Sequence, residues 1–245
     1  MDPLTIAAAS GMRARLETLD LLANNIANQS TPGFKADREF YNLYVSAAAI
    51  DPWAQPATIL PLVERRWTDF RQGTLVATGN PMDLALVGFG FFVLEGTNSR
   101  LYTRNGHFQL DRDGYLVSKS GYRVLDREGR PIQLDPRQPL EVSPSGEIRQ
   151  QGVMVAELAI VEFADPQQLI KVPGASFVAV SGVEPVPARQ ASVRQGYLEA
   201  ANFSVAEAAV RLVEVLRQFE ALNRALQLGH EMNRKVTDEV ARPNP

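Results

Sequence analysis

The chain has 245 residues, enough for one large domain or two modest ones with a core in each. Its formal net charge is −3, with acids and bases interspersed and only short basic clusters such as Arg65–Arg66, which argues against a nucleic-acid partner. It has no cysteine, which excludes disulfides and thiolate metal sites, and its longest apolar run, Leu84 to Leu94, is too short to span a membrane.

Met1-Asp2-Pro3-Leu4 lacks a basic segment followed by a continuous apolar stretch, so no cleavable secretory signal is expected. Asp2-Pro3 suits a helix start. Ala9, Met12, Leu16, Leu19, Ala23 and Ile26 then recur at steps of three and four, which predicts a helix carrying a heptad seam. The small Ala9 and Ala23 suit a close approach of another backbone. The stop falls at Asn28-Gln29-Ser30-Thr31-Pro32-Gly33, where Pro restricts its predecessor and Gly permits a positive φ. Residues 36–67 read as an extended linker or edge segment. It has an apolar patch at Phe40, Tyr41, Leu43, Tyr44 and Val45, followed by Pro52, Pro56 and Pro61, which discourage helix and central strand.

Residues 68–192 change to short apolar runs separated by turn residues. Strands are expected at 84–87, 91–94, 101–103, 108–110, 115–117, 124–125, 153–163 and 177–180, with turns at Asp113-Gly114, Glu128-Gly129 and Ser145-Gly146.

Residues 193–245 return to helical grammar. Ser204 with Glu207 reads as a capping box. Leu212, Leu216, Phe219 and Leu226 share one side of the helix that follows, and Val205 and Ala209 extend the row backwards. Glu207–Arg211, Glu220–Arg224 and Glu231–Lys235 place acids four residues before bases on its outer face. Such a helix, about 32 residues and about 48 Å long, needs a partner. The N-terminal helix is the nearest candidate, within one subunit or between subunits. An ordinary helix pair closing a globular domain fits the periodicity equally well. The expected fold is α+β: an all-β domain (68–192) inserted between helical ends (1–35 and 193–245) that pair as a coiled coil, with 36–67 as linker.

No constellation of residues points to catalysis, a cofactor or a metal. His107 and His230 lie far apart in the sequence and resemble neither a metal site nor a nucleophile triad. Asp111-Arg112-Asp113-Gly114 lacks the later ligands of a calcium loop and reads as a hairpin turn. Gly88-Phe89-Gly90 is followed by no helix or Lys-Ser/Thr and is no phosphate cradle. Asn28-Gln29-Ser30 fits a glycosylation sequon, a match so short that it usually arises by chance. An enzyme or binding module acting on peptidoglycan, the alternative class, would need a cluster of acids or a His-bearing site.

Four ordered stretches resemble the bacterial flagellar rod and hook proteins. They are Leu22-Ala23-Asn24-Asn25-Ile26-Ala27-Asn28-Gln29-Ser30-Thr31-Pro32-Gly33-Phe34-Lys35; Thr68-Asp69-Phe70-Arg71-Gln72-Gly73-Thr74-Leu75 continuing to Val93; Tyr102-Thr103-Arg104-Asn105-Gly106-His107-Phe108 continuing to Leu125; and Gln195-Gly196-Tyr197-Leu198-Glu199-Ala200-Ala201-Asn202. Ser30 to Phe34 and Arg217-Gln218-Phe219-Glu220 resemble the proximal rod type more than the distal rod type. Ala201 and the run Phe203 to Ala209 depart from the family pattern.

The resemblance implies a hollow rod in which the terminal helices line the tube, the β domain forms an outer layer, and torque passes to the hook. It implies a location in the flagellar basal body and, as partners, other proximal and distal rod proteins and like subunits. Export would be through the flagellar type III apparatus. The seam residues Met12, Leu16, Leu19, Ile26, Val205, Leu212, Leu216, Phe219 and Leu226 would then be subunit interface. The family motif falls on Asn24, Asn25, Asn28, Thr31, Pro32, Gly33 and Phe34. Phe40 and Tyr44 resemble a short export-gate element, with plain packing an equal alternative. The ends are expected to order on assembly.

Overall fold

A computed structural model describes the backbone of residues 3–45 and 59–240, and the side chains of 8–39, 67–232 and 234–235. The chain divides into two units, one of residues 1–27, 37–67 and 204–245, the other of residues 28–36 and 68–203.

The first unit holds α1 (Pro3–Ala27), β1 (Asp37–Val45), β2 (Ile59–Thr68) and α2 (Val205–Val240). α2 begins where its cap predicts: Ser204 Oγ accepts from the Glu207 N–H at 3.4 Å, and the Ser204 carbonyl accepts from Ala208. α1 ends before the Asn-Gln-Ser-Thr-Pro-Gly run. The two helices pack on one another. Residues 36–67, expected as an extended linker or edge segment, contribute two strands, which pair with each other. Pro52 and Pro56 lie outside the described residues. The terminal segments, expected to order only on assembly, are helical in the single chain and bury rows of their own residues.

The second unit is built from β3 (Leu75–Ala77), β4 (Leu84–Val87), β5 (Phe91–Glu95), β6 (Arg100–Thr103), β7 (Phe108–Leu110), β8 (Leu116–Ser118), β9 (Glu141–Val142) and β10 (Glu147–Gln150). β11 (Val153–Glu157), β12 (Ile160–Glu162), β13 (Leu169–Val172), β14 (Ser176–Ala179), β15 (Val186–Pro187), β16 (Ser192–Gln195) and β17 (Tyr197–Glu199) complete it. The largest sheet has the order β13-β14-β6-β5-β12-β15; smaller ones pair β11-β10-β9, β16-β4, β17-β3 and β7-β8.

β5 organises the core. Successive residues of a strand point to opposite faces, and both faces of β5 are covered. Phe92 and Leu94 join Leu84, Leu116 and Ile148 on one side. Phe91 and Val93 join Tyr102, Phe163 and Phe177 on the other. A strand buried on two faces reads as a continuous apolar run, which is why Phe91-Phe92-Val93-Leu94 shows no alternation.

Several boundaries differ from the sequence reading. The stretch 153–163 is two strands in different sheets, broken where Leu158 donates to Gly146 O and Ala159 to Leu125 O. No Gly or Pro marks that break, because the turn is held from outside rather than by local conformation. Residues 124–125 form isolated bridges to Leu94 and Pro131. β16 and β17, in the segment expected to be helical, pair with β4 and β3 of the second unit.

Candidate functional site

The buried row of α1 is Ala8, Gly11, Ala14, Thr18, Leu21 and Asn25, with Leu22 beside it. These residues recur at heptad-like steps of three and four, but most are small or polar. Thr18 is satisfied by its own helix, donating to the Ala14 carbonyl at 3.0 Å. Asn25 Nδ2 donates to the Asp37 carbonyl at 2.9 Å, and its Oδ1 accepts from the Asp37 N–H at 3.1 Å. It thereby staples the helix end to the start of β1. The larger residues read as the seam lie one position round. Met12, Leu19 and Ile26 are half-buried and Leu16 is 49% exposed. Ala9 and Ala23 are also exposed, so the small residues of the pair are Ala8, Gly11 and Ala14.

On α2 the more covered row is Ala208, Leu212, Val215, Phe219, Leu222, Leu226 and Gly229, stepping by four and three throughout, with Ala208, Val215 and Gly229 buried and the rest half-buried. Leu212, Phe219 and Leu226 belong to it. Val205 and Leu216 do not: with Ala209 and Val213 they form a second row, displaced by one residue, or about 100° round a helix of 3.6 residues per turn. All four are exposed. Arg211, read as the partner of Glu207, instead donates to Glu39 Oε1 at 2.7 Å, the carboxylate being the more buried of the two. Phe40 and Tyr44 fall in β1, and their side chains lie outside the described residues.

The family-motif residues from Asn28 onward lie in the second unit. Asn28 and Thr31 carbonyls close a turn by accepting from Thr31 and Phe34. Gly33 takes φ +68°, and a Cβ there would lie 2.3 Å from the backbone of Arg104 and Asn105; only glycine fits. Its N–H donates to the Glu199 carbonyl at 2.7 Å. Phe34 is buried, with Lys171 Nζ 4.5 Å above its ring. Asn24 is exposed and Pro32 half-buried.

Behind this turn sits a buried ionic cluster that the sequence reading missed. The side chains of Lys35, Arg104 and Glu199 are 1%, 4% and 0% exposed. Lys35 Nζ donates to Glu199 Oε1 at 2.5 Å and to the Arg71 carbonyl at 2.7 Å. Arg104 Nε donates to Glu199 Oε2 at 2.9 Å, and its Nη1 donates to both the Gly88 and Gly90 carbonyls. The Gly73 N–H completes the carboxylate's set at 2.9 Å. Burial pulls the Lys35 ammonium and the Arg104 guanidinium below their ordinary ranges, and the attraction of Glu199 opposes it in both. Nothing local marks these residues as partners, since the pair Lys35 and Glu199 is separated by most of the chain. The one signal was that each of the three lies inside a stretch that resembled the family.

A cavity of about 450 Å³ in the second unit is lined by Phe70, Phe89, Phe91, Phe163 and Pro166. Lys35 and Arg104 border it but are already engaged by Glu199. His107 Nδ1 lies 2.8 Å from Asp83 Oδ1, between two adjoining chain segments, and His230 is exposed on α2. Asp111 Oδ1 accepts from the Asp113 and Tyr115 N–H groups and so closes the β7–β8 hairpin. Among the described residues no group of three or more His, Cys, Asp or Glu stands where it could hold a metal, and no helix is long and apolar enough to cross a membrane.

Three family descriptions match in chain order: flagella basal body rod protein at 7–35, flagellar hook protein FlgE/F/G D1 domain at 85–155, and flagellar basal body rod FlgEFG protein C-terminal at 194–239. The chain is 30% identical to the flagellar basal-body rod protein FlgF of Caulobacter vibrioides over 92% of its own length and 93% of that protein. It is 31% identical to FlgF of Mesorhizobium japonicum over 87% of each chain. It is 29% identical to the rod protein FlgG of Borreliella burgdorferi over 92% of its own length and 94% of that protein.

Proposed function

Since this chain belongs to the flagellar basal-body rod protein family, we propose that it is a structural, non-enzymatic subunit of the rod, of the proximal type, stacking with like subunits and other rod proteins. The observation that carries the reading is the second apolar row on α2. One row is covered within the chain, while Val205, Ala209, Val213 and Leu216 face solvent beside it. A helix with two apolar rows and one partner has a surface to spare. Contacts that join two different surfaces of the same subunit do not close, and so build a helical filament. In this reading the helical ends form coiled-coil contacts with neighbouring subunits through Met12, Leu16, Leu19, Ile26, Val205 and Leu216. Leu212, Phe219 and Leu226 support them from within.

Deletion of the gene is expected to leave cells without hook or filament, and electron microscopy of isolated basal bodies should show a truncated rod. Intact basal bodies in the deletion strain would overturn the reading. The nearly equal identity to FlgG supports a second reading, the distal type, and the point at which the rod is truncated separates the two. Export through the flagellar type III apparatus without a cleaved signal belongs to the same proposal. Phe40→Ala with Tyr44→Ala is expected to lower the amount of protein exported, and unchanged export would assign these residues to packing.

A further inference from the structure

The chain passes between its two units after residues 27, 36, 67 and 203. Within the second unit the segments nearest these passages are 33–36, 69–73 and 199–202, and one carboxylate ties all three together. Its oxygens accept from Lys35 Nζ of the first segment and from the Gly73 N–H of the second, while the Glu199 backbone carbonyl accepts from the Gly33 N–H. Asn202 repeats the pattern: it accepts from the Ala36 N–H and donates to the Asp69 and Arg71 carbonyls.

We propose that Glu199, with Lys35 and Arg104 as its counter-ions, is a tension clasp: it takes up force arriving along the connecting segments and passes it into the largest sheet. The proposal rests on the rod reading, since a subunit that transmits torque is one that meets such force. Two routes lead onward. Arg104 holds the Gly88 and Gly90 carbonyls at the entrance to β5, in the middle of that sheet. Lys171 of β13, at its edge, donates to the Lys35 carbonyl at 2.7 Å and covers the Phe34 ring.

The choice of charges follows from how the two kinds of contact fail. Apolar surfaces slide past one another with little penalty, because their attraction has no direction. Drawing the 199–202 segment out leaves Lys35 and Arg104 buried without their counter-ion, and drawing out either other segment strips hydrogen bonds from a buried charge; both are unfavourable. The motif residues Gly33 and Phe34 are on this view positioning residues for the clasp, not part of a subunit seam.

The test uses the full chain carrying Glu199→Gln, which keeps the shape and removes the charge. Amide exchange in peptides covering 33–36, 71–73 and 199–202 is expected to quicken at least tenfold, with peptides of the core around Phe92 and Leu116 unchanged. Cells carrying the variant are expected to swim normally in dilute medium and to stop in viscous medium, where the motor works against higher load. Unchanged exchange, a rise spread evenly over the whole chain, or normal swimming under load would each overturn the proposal. A second variant, Lys35→Met with Arg104→Met and Glu199→Leu, fills the same space without charge. It is expected to melt near the parent temperature yet still fail in viscous medium, and full swimming there would also overturn the clasp. Should the deletion strain keep intact rods, the rod reading falls, while the exchange result still decides whether the cluster holds the three segments.

Discussion

Leu216→Asp separates the surface a subunit keeps for itself from the one it offers to others. Val205, Val213 and Leu216 are 44%, 49% and 43% exposed in the single chain. Full burial of such a side chain is worth about 1.5–3 kcal/mol, so covering the part still in water adds about 1 kcal/mol for each. The three together contribute roughly 2–4 kcal/mol to one subunit contact, a factor of about 30 to 1,000 in association. An aspartate at 216 removes its share and adds a carboxylate that must be desolvated in the contact. The single chain should barely notice: the change is on an exposed face, where substitutions shift stability by less than about 0.5 kcal/mol. Phe219→Asp is the control, because Phe219 lies on the covered row and a charge there acts on the helix pair itself. Circular dichroism and thermal melting of the purified protein, with motility and basal-body microscopy in cells, read both quantities. The expected result for Leu216→Asp is native helicity with no rod, and for Phe219→Asp a loss of both. Normal swimming with Leu216→Asp, or helicity lost to the same degree in both variants, would refute the two-row argument.

Gly33→Ala puts a methyl group 2.3 Å from backbone atoms of Arg104 and Asn105 at φ +68°; urea unfolding should show a loss of about 2–4 kcal/mol. Phe92→Ala empties a fully buried site in the first core cluster and should cost about 3–5 kcal/mol in the same assay, lowering the melting of the β unit while the helices keep their signal. Asp126 is a pH-sensitive point. Burial alone would raise its carboxyl, but the Arg130 N–H and guanidinium and the Glu128 N–H outweigh it and hold it below the usual carboxylate range. Its folded pKa is therefore depressed, so its contribution is complete above about pH 4, the unfolded value, and is lost as pH falls through the folded one. Acid titration of unfolding free energy should flatten in Asp126→Asn over that window; an unchanged slope would dismiss the role.

The α+β plan was legible because its signals are local. Helical periodicity, the Ser204 cap and the Asp-Gly turns each act over a few residues, and most expected strands lie within a residue of where they form. Residues whose roles depend on distant partners were not legible. The bridge between Lys35 and Glu199 spans 164 positions, and no pattern of spacing announces a pairing across that distance. The helix seams are a more instructive case. Large apolar residues at three and four steps marked Met12, Leu16, Leu19 and Ile26, while α1 buries the row beside them. A row of Gly11, Ala14, Thr18 and Asn25 has almost no hydrophobic contrast, so periodicity passes over it. On α2 both rows are apolar, and the reading mixed Leu212, Phe219 and Leu226 from one with Val205 and Leu216 from the other.

That mixture itself has a physical reason. Two helices can lie close only where the side chains between them are small, since interaxial distance follows the residues at the contact. Ala8, Gly11 and Ala14 meet that condition, and burying them fixes little or no side-chain freedom. Met12, Leu16, Leu19 and Ile26 are thereby left half-covered or exposed, which would be wasteful in a chain that acts alone. In a chain that stacks, the same arrangement divides the work. The small row sets the helix pair within the subunit, and the bulky rows on both helices hold their area for contacts made afterwards. The exposed rows lie about 100° round each helix from the covered ones. Under the proposed rod role, a neighbouring helix would therefore meet α1 or α2 without displacing its partner, and the internal pair and the subunit contact would add rather than compete.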